Sequence, residues 1–199
     1  MKLTQETLET SAYLAADEVV DHENPLVREA ATRLRAEAVN AYAYAEAAFV
    51  FVRDEIPHSS DVGDPRVTWR ASDVIARRTG ICYAKAHALV ALLRAEGIPA
   101  GFCYQRLAND DGSAPVVHGL VAVKLPESDG WARQDPRGNK RGVDARFSLD
   151  GERLAYITRP ECSEVDYEVL YAAPHPAVLH ALRTAQDCSQ LRRTLPTAL

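Results

Sequence analysis

Several features that would place this chain quickly are missing from it. Its four cysteines stand at 82, 103, 162 and 188, and no two form a Cys-x-x-Cys pair, which argues against a zinc knuckle or a thioredoxin-type motif. The start, Met1-Lys2-Leu3-Thr4, has neither the basic head nor the apolar stretch of an export signal. No run approaches the ~18 apolar residues that a membrane span needs. The expected location is therefore cytoplasmic, with reduced thiols and no membrane partner. Basic clusters are scarce too: Arg77-Arg78 and Arg192-Arg193 are short, and the net charge is -5. No nucleic-acid partner is expected, because phosphate binding rests on clustered Lys and Arg. Internal repeats and low-complexity segments are absent. What remains is an ordinary balance, 47% hydrophobic and 26% charged over 199 residues, enough to build one core.

The first half reads as helical. A helix is expected over residues 4–20, with Thr4 as its cap. A longer one is expected from Pro25, capped by Asn24, to about Ile56, where Leu34, Ala38, Ala41, Ala45, Ala48 and Val52 give one apolar stripe. A short helix is expected over Ser72–Arg78 with Ser72 as cap. After the Gly80 turn, a further helix runs from Cys82 to Glu96 and ends at Gly97 and Pro99. Strand texture follows at Ala100–Leu107, Val116–Leu125, Trp131–Asp135 and Val165–Ala172, and a closing helix at Pro176 to about Arg193. Helices followed by an antiparallel sheet make the fold class α+β. The whole is read as one domain over 1–199: a helical part at 1–56, a core at 57–140, and a C-terminal strand and helix at 141–199.

Cys82 stands apart from the other three cysteines. It opens a buried helix, where the positive helix end favours a thiolate and unpaired backbone N–H groups can face an oxyanion. Cys103, Cys162 and Cys188 read as packing. Of six histidines, His118 enters an apolar strand, where an ionisable group needs a partner. Asp135 ends the next strand and can orient its imidazole, with Asp144 in reserve. For His118 and Asp135 to share a sheet face, opposing residue numbers must add to an odd value. Leu125 opposite Trp131 fails that condition; Lys124 opposite Trp131, or a bulge, meets it. His58, on a loop, is a candidate for lining a substrate groove, whereas His87 should turn away from the thiol.

The segment Arg78-Thr79-Gly80-Ile81-Cys82-Tyr83-Ala84-Lys85-Ala86, continuing through Leu92-Leu93-Arg94-Ala95-Glu96-Gly97-Ile98-Pro99-Ala100, resembles the nucleophile block of the transglutaminase-like superfamily. The His118 strand and Gly130-Trp131…Asp135-Pro136 resemble its second and third blocks, in the order Cys, His, Asp. Where many relatives carry Ala-Trp after the histidine, this chain has Gly119-Leu120. The resemblance implies a papain-like α+β core, N-terminal helices packed on an antiparallel sheet. It also implies acyl transfer through Cys82, His118 and Asp135, with no cofactor and no metal. Trp69 is a candidate side-chain donor to the oxyanion and, with Tyr83 and His58, a candidate for substrate binding. The expected partner is a peptide, a protein or a small amide, most simply hydrolysed. The alternatives are a non-catalytic binding module on the same fold, or an acyltransferase or crosslinking transglutaminase. The oligomeric state is not legible.

Overall fold

In a computed structural model of the chain, residues 1–126, 128 and 130–199 are described. Thr4–Gln5 (β1) is followed by five helices: Pro25–Ala36 (α1), Ala41–Glu55 (α2), Ser59–Val62 (α3), Ala71–Arg77 (α4) and Cys82–Ala95 (α5). Then come Ala100–Leu107 (β2), Val116–Val123 (β3), Ala132–Gln134 (β4), Val165–Asp166 (β5) and Val169–Leu170 (β6). Pro176–Thr184 (α6) and Cys188–Arg193 (α7) close the chain. The main sheet is antiparallel in the order β4-β3-β2-β5, and β1 pairs in parallel with β6. The architecture is the expected α+β mixture, with helices on one side of an antiparallel sheet.

α5 organises the molecule. Every residue from Cys82 to Arg94 is buried, because the helix is enclosed by α1, α2, α4, β2 and β3. A helix that is apolar nearly all round belongs in the interior. Its three polar exceptions each saturate backbone carbonyls. Lys85 donates to Arg53 and Ile56 at the C-terminal end of α2. His87 bonds the Trp69 carbonyl, and Arg94 donates to those of Ala15, Ala100 and Ala172. His87 thus faces away from the thiol, as its spacing from Cys82 requires.

Two glycines allow the close approach that sets up the site. A Cβ on Gly119 of β3 would lie 2.7 Å from Tyr83 Cδ1, and one on Gly80 would lie 2.9 Å from the Ala84 Cβ. Without them α5 could not seat its first turn against both β3 and the preceding loop. The Tyr83 hydroxyl then donates to the Val117 carbonyl, tying helix to strand.

Several boundaries differ from the sequence expectation. Residues 4–20 hold a two-residue strand and a 3₁₀ turn at Thr10–Tyr13 in place of a helix, because β6 captures the backbone of Thr4 and Gln5. The long helix is two, α1 and α2, since the Asn40 side chain accepts from Ala43 N and starts a new one. Ser72 lies inside α4 and does not cap it; Asp21, from a remote segment, accepts its N–H. Val165–Ala172 splits between two sheets, and the closing helix breaks at Asp187, which caps α7. Two residues of the Pro126–Gly130 connection, 127 and 129, lie outside the described residues. No helix among the described residues is long and apolar enough to cross a membrane.

Candidate active site

Cys82 is the first residue of α5 and is 8% exposed. The turn before it is pinned from outside: His58 and Gly80 form a parallel bridge, and Ser59 N donates to the Gly80 carbonyl at 3.1 Å. His118 stands on β3 facing the thiol. In the β3–β4 pairing, Val121 opposes Gln134, Ala122 opposes Arg133 and Val123 opposes Ala132. Continued by one residue, this register sets Lys124 opposite Trp131, and it places His118 and Asp135 on one face. Asp135 Oδ2 lies 2.8 Å from His118 Nε2, so Nδ1 is the ring nitrogen left for the sulfur.

The carboxylate is fully buried and saturated. Its Oδ2 also accepts from Ala155 N, and its Oδ1 accepts from Arg137 N, both at 3.1 Å. Burial alone would raise the Asp135 pKa, but the charge and hydrogen bond of His118 and the two backbone donors lower it. For His118, burial works against protonation, and the charges of Asp135 and Cys82 outweigh it, so its pKa rises to about 10. Cys82 shows the reciprocal effect. Burial pushes its pKa up, yet the charge and hydrogen bond of His118, joined by those of His58, bring it down to about 6. Cys103 is the internal control: buried without an imidazole, it is pushed up to about 12. The two opposite shifts favour a thiolate beside an imidazolium.

These groups open onto a cavity of ≈ 720 Å³, which His58, Cys82 and His118 line. His58 is half-buried, with its Nδ1 buried and without a partner among the described residues. Trp69 and Tyr83 do not line this cavity. The Arg70 and Arg183 guanidiniums lie over the Trp69 ring, 4.3 and 4.6 Å from its centroid, and both arginines also pair with Glu18. Tyr83 is spent on the Gly119–Val117 contact. Trp69 and Tyr83, expected in the substrate-binding set, are thus placed away from this cavity, and His58 is placed on it. Asp144 sits at the rim paired with Arg146, away from the His118 ring that Asp135 holds.

Other residues at the site escaped the sequence reading. Tyr156 stands edge-on to His118, ring centroids 5.2 Å apart. Arg137 makes a bidentate pair with Asp61, which also receives Lys140. This pair joins the segment after Asp135 to the helix that follows His58. The only signal for Arg137 was its place in Asp135-Pro136-Arg137; Tyr156 lies in a loop with no periodic pattern. Among the described residues, no group of three or more His, Cys, Asp or Glu side chains is placed to hold a metal ion.

The fold is shared with a solved structure of a candidate cysteine protease from Cytophaga hutchinsonii, at TM-score 0.53 and 21% identity, covering 66% of this chain and 43% of its own. A lower likeness, at TM-score 0.48 and 28% identity and covering 64% and 46%, is to the periplasmic domain of TgpA from Pseudomonas aeruginosa. The chain spans less than half the length of each. No curated protein matches it. The family model for the transglutaminase-like superfamily matches residues 28–136, a stretch that contains Cys82, His118 and Asp135.

Proposed function

This chain belongs to the transglutaminase-like superfamily, related to cysteine peptidases and transglutaminases, and we propose that it hydrolyses an amide bond through a Cys82–His118–Asp135 triad. The observation that carries the reading is the buried thiol held low in pKa by an imidazole that Asp135 orients. The Cys82 thiolate attacks the amide carbonyl carbon, and the electron pair moves to oxygen. The Cys82 N–H, free at the helix start, and the His58 ring donate to that oxyanion. His118 passes its proton to the leaving nitrogen, the C–N bond breaks, and a thioester remains on Cys82. A water molecule, deprotonated by His118, attacks the thioester; the C–S bond breaks, the carboxylic acid leaves and the thiolate–imidazolium pair is restored. In this reading His58, which lines the cavity, supplies the side-chain donor in place of Trp69, which does not line it.

The test is direct trapping. An activated ester such as a p-nitrophenyl ester should release a stoichiometric burst of p-nitrophenol and leave an acyl adduct on Cys82, detectable by mass spectrometry. His58→Ala should slow that burst by about 10²–10³-fold, as loss of one oxyanion donor does elsewhere. Acylation spread over several residues, or none at Cys82, would rule the reading out and favour a binding module.

A further inference from the structure

The cavity wall beyond the thiol carries a pattern that the proposed chemistry does not use. Leu107 and Val116 reach it from the end of the β2–β3 hairpin, Leu154 and Ile157 from the loop that also carries Tyr156, and Leu195 from the C-terminal segment. Ile157 is 88% exposed, an aliphatic side chain at the mouth of the cavity with nothing over it. Such convergence of apolar groups from separate segments marks a ligand surface.

The charges on the same wall are already matched. Arg137 is held bidentately by Asp61. Glu164 is buried, accepts from the backbone N–H groups of Ala108 and Arg159, and pairs with the Arg159 guanidinium. Arg159 also pairs with Asp110, and Asp144 with Arg146 at the rim. Among the described residues lining the cavity, no Lys, Arg, Asp or Glu is left over for a ligand. A charged substrate group would lose its water there and find no counter-ion, whereas an apolar one gains by burial. The volume of ≈ 720 Å³ also exceeds what a small acyl group alone would fill.

We infer that the substrate is an uncharged amide carrying a bulky apolar side chain next to the scissile bond. This deepens the proposed hydrolysis, and it is tested by binding alone, so that turnover is not needed. Three fluorescent peptide amides, identical except for one Phe, Glu or Lys beside the target bond, are titrated into Cys82→Ala protein. The Phe peptide should bind at least about tenfold more tightly than either charged one. Ile157→Asp, a change at an exposed position that leaves the core untouched, should erase that preference. Equal affinity for the three, or tighter binding of Glu or Lys, would overturn the inference. Failure of acyl trapping at Cys82 in wild-type protein would instead strike the hydrolysis and leave the binding preference standing.

Discussion

Cys82→Ala is expected to abolish turnover, a fall of about 10⁶-fold, and His118→Ala to match it. The two groups act as one unit, because the imidazolium of His118 is the larger of the two influences that lower the thiol's pKa against burial. Combining both changes should therefore cost no more than either alone, which a kcat comparison of single and double variants would read. The fold should survive Cys82→Ala, since only a sulfur at the edge of the core is lost. Cys103→Ala is the control: that thiol is fully buried, has no imidazole and faces a separate small cluster around Tyr13 and Leu120. It should leave turnover intact.

Asp135→Asn should lower kcat by about 10⁴-fold and destabilise the protein as well. The change looks conservative, but the site does not permit it. Three N–H donors converge on this carboxylate: His118 and Ala155 on Oδ2, and Arg137 on Oδ1. An asparagine has one oxygen and one NH₂, so in either orientation a donor must face a donor in a buried space. One unsatisfied buried donor costs about 1–3 kcal/mol, and loss of the charge removes what keeps His118 protonated. Asp135→Ala leaves His118 Nε2 without its carboxylate in the interior, and breaking a buried pair costs roughly 3–5 kcal/mol. The pH signs are opposite for the two partners. The stabilisation tied to His118, whose pKa is raised, is complete below its ordinary ~6.5 and lost as pH climbs through about 10. That tied to Asp135, whose pKa is lowered, holds above ~3.9 and is lost as pH falls through its depressed value. Thermal melts across pH on wild-type protein would read both, and the Asn and Ala variants should lose them.

Much of the site was legible because its parts obey local rules. The Gly80 turn and the apolar run after it identify a buried helix with a cysteine at its head. His118 stands out as the polar residue in an apolar strand. Parity links it to Asp135 through one required register, and the β3–β4 pairing has that register. The strand Ala100–Leu107 is found where alternating and apolar character places it. What was not legible depends on contacts between distant segments. Nothing local says that Asp21 serves α4, that β6 captures β1, or that Arg183 joins Arg70 over the Trp69 ring. The helix break at Asn40 had its signal, a good capping residue, but the unbroken Ala-rich stripe on either side outweighed it. Tyr156 and the Arg137–Asp61 pair lie in loops, where periodicity carries no information and only the folded chain brings the groups together.

The pairing of Cys82 with His118 is best tested by the pH dependence of iodoacetamide alkylation, with the modified residue identified by mass spectrometry. Wild-type protein should be labelled at Cys82 with a midpoint near 6, far below the ~8.5 of a free cysteine, and His118→Ala should move that midpoint up by more than two pH units. A wild-type midpoint near ~8.5 that His118→Ala leaves in place would mean that the thiol and the imidazole do not share a proton, and covalent catalysis at this site would have no basis.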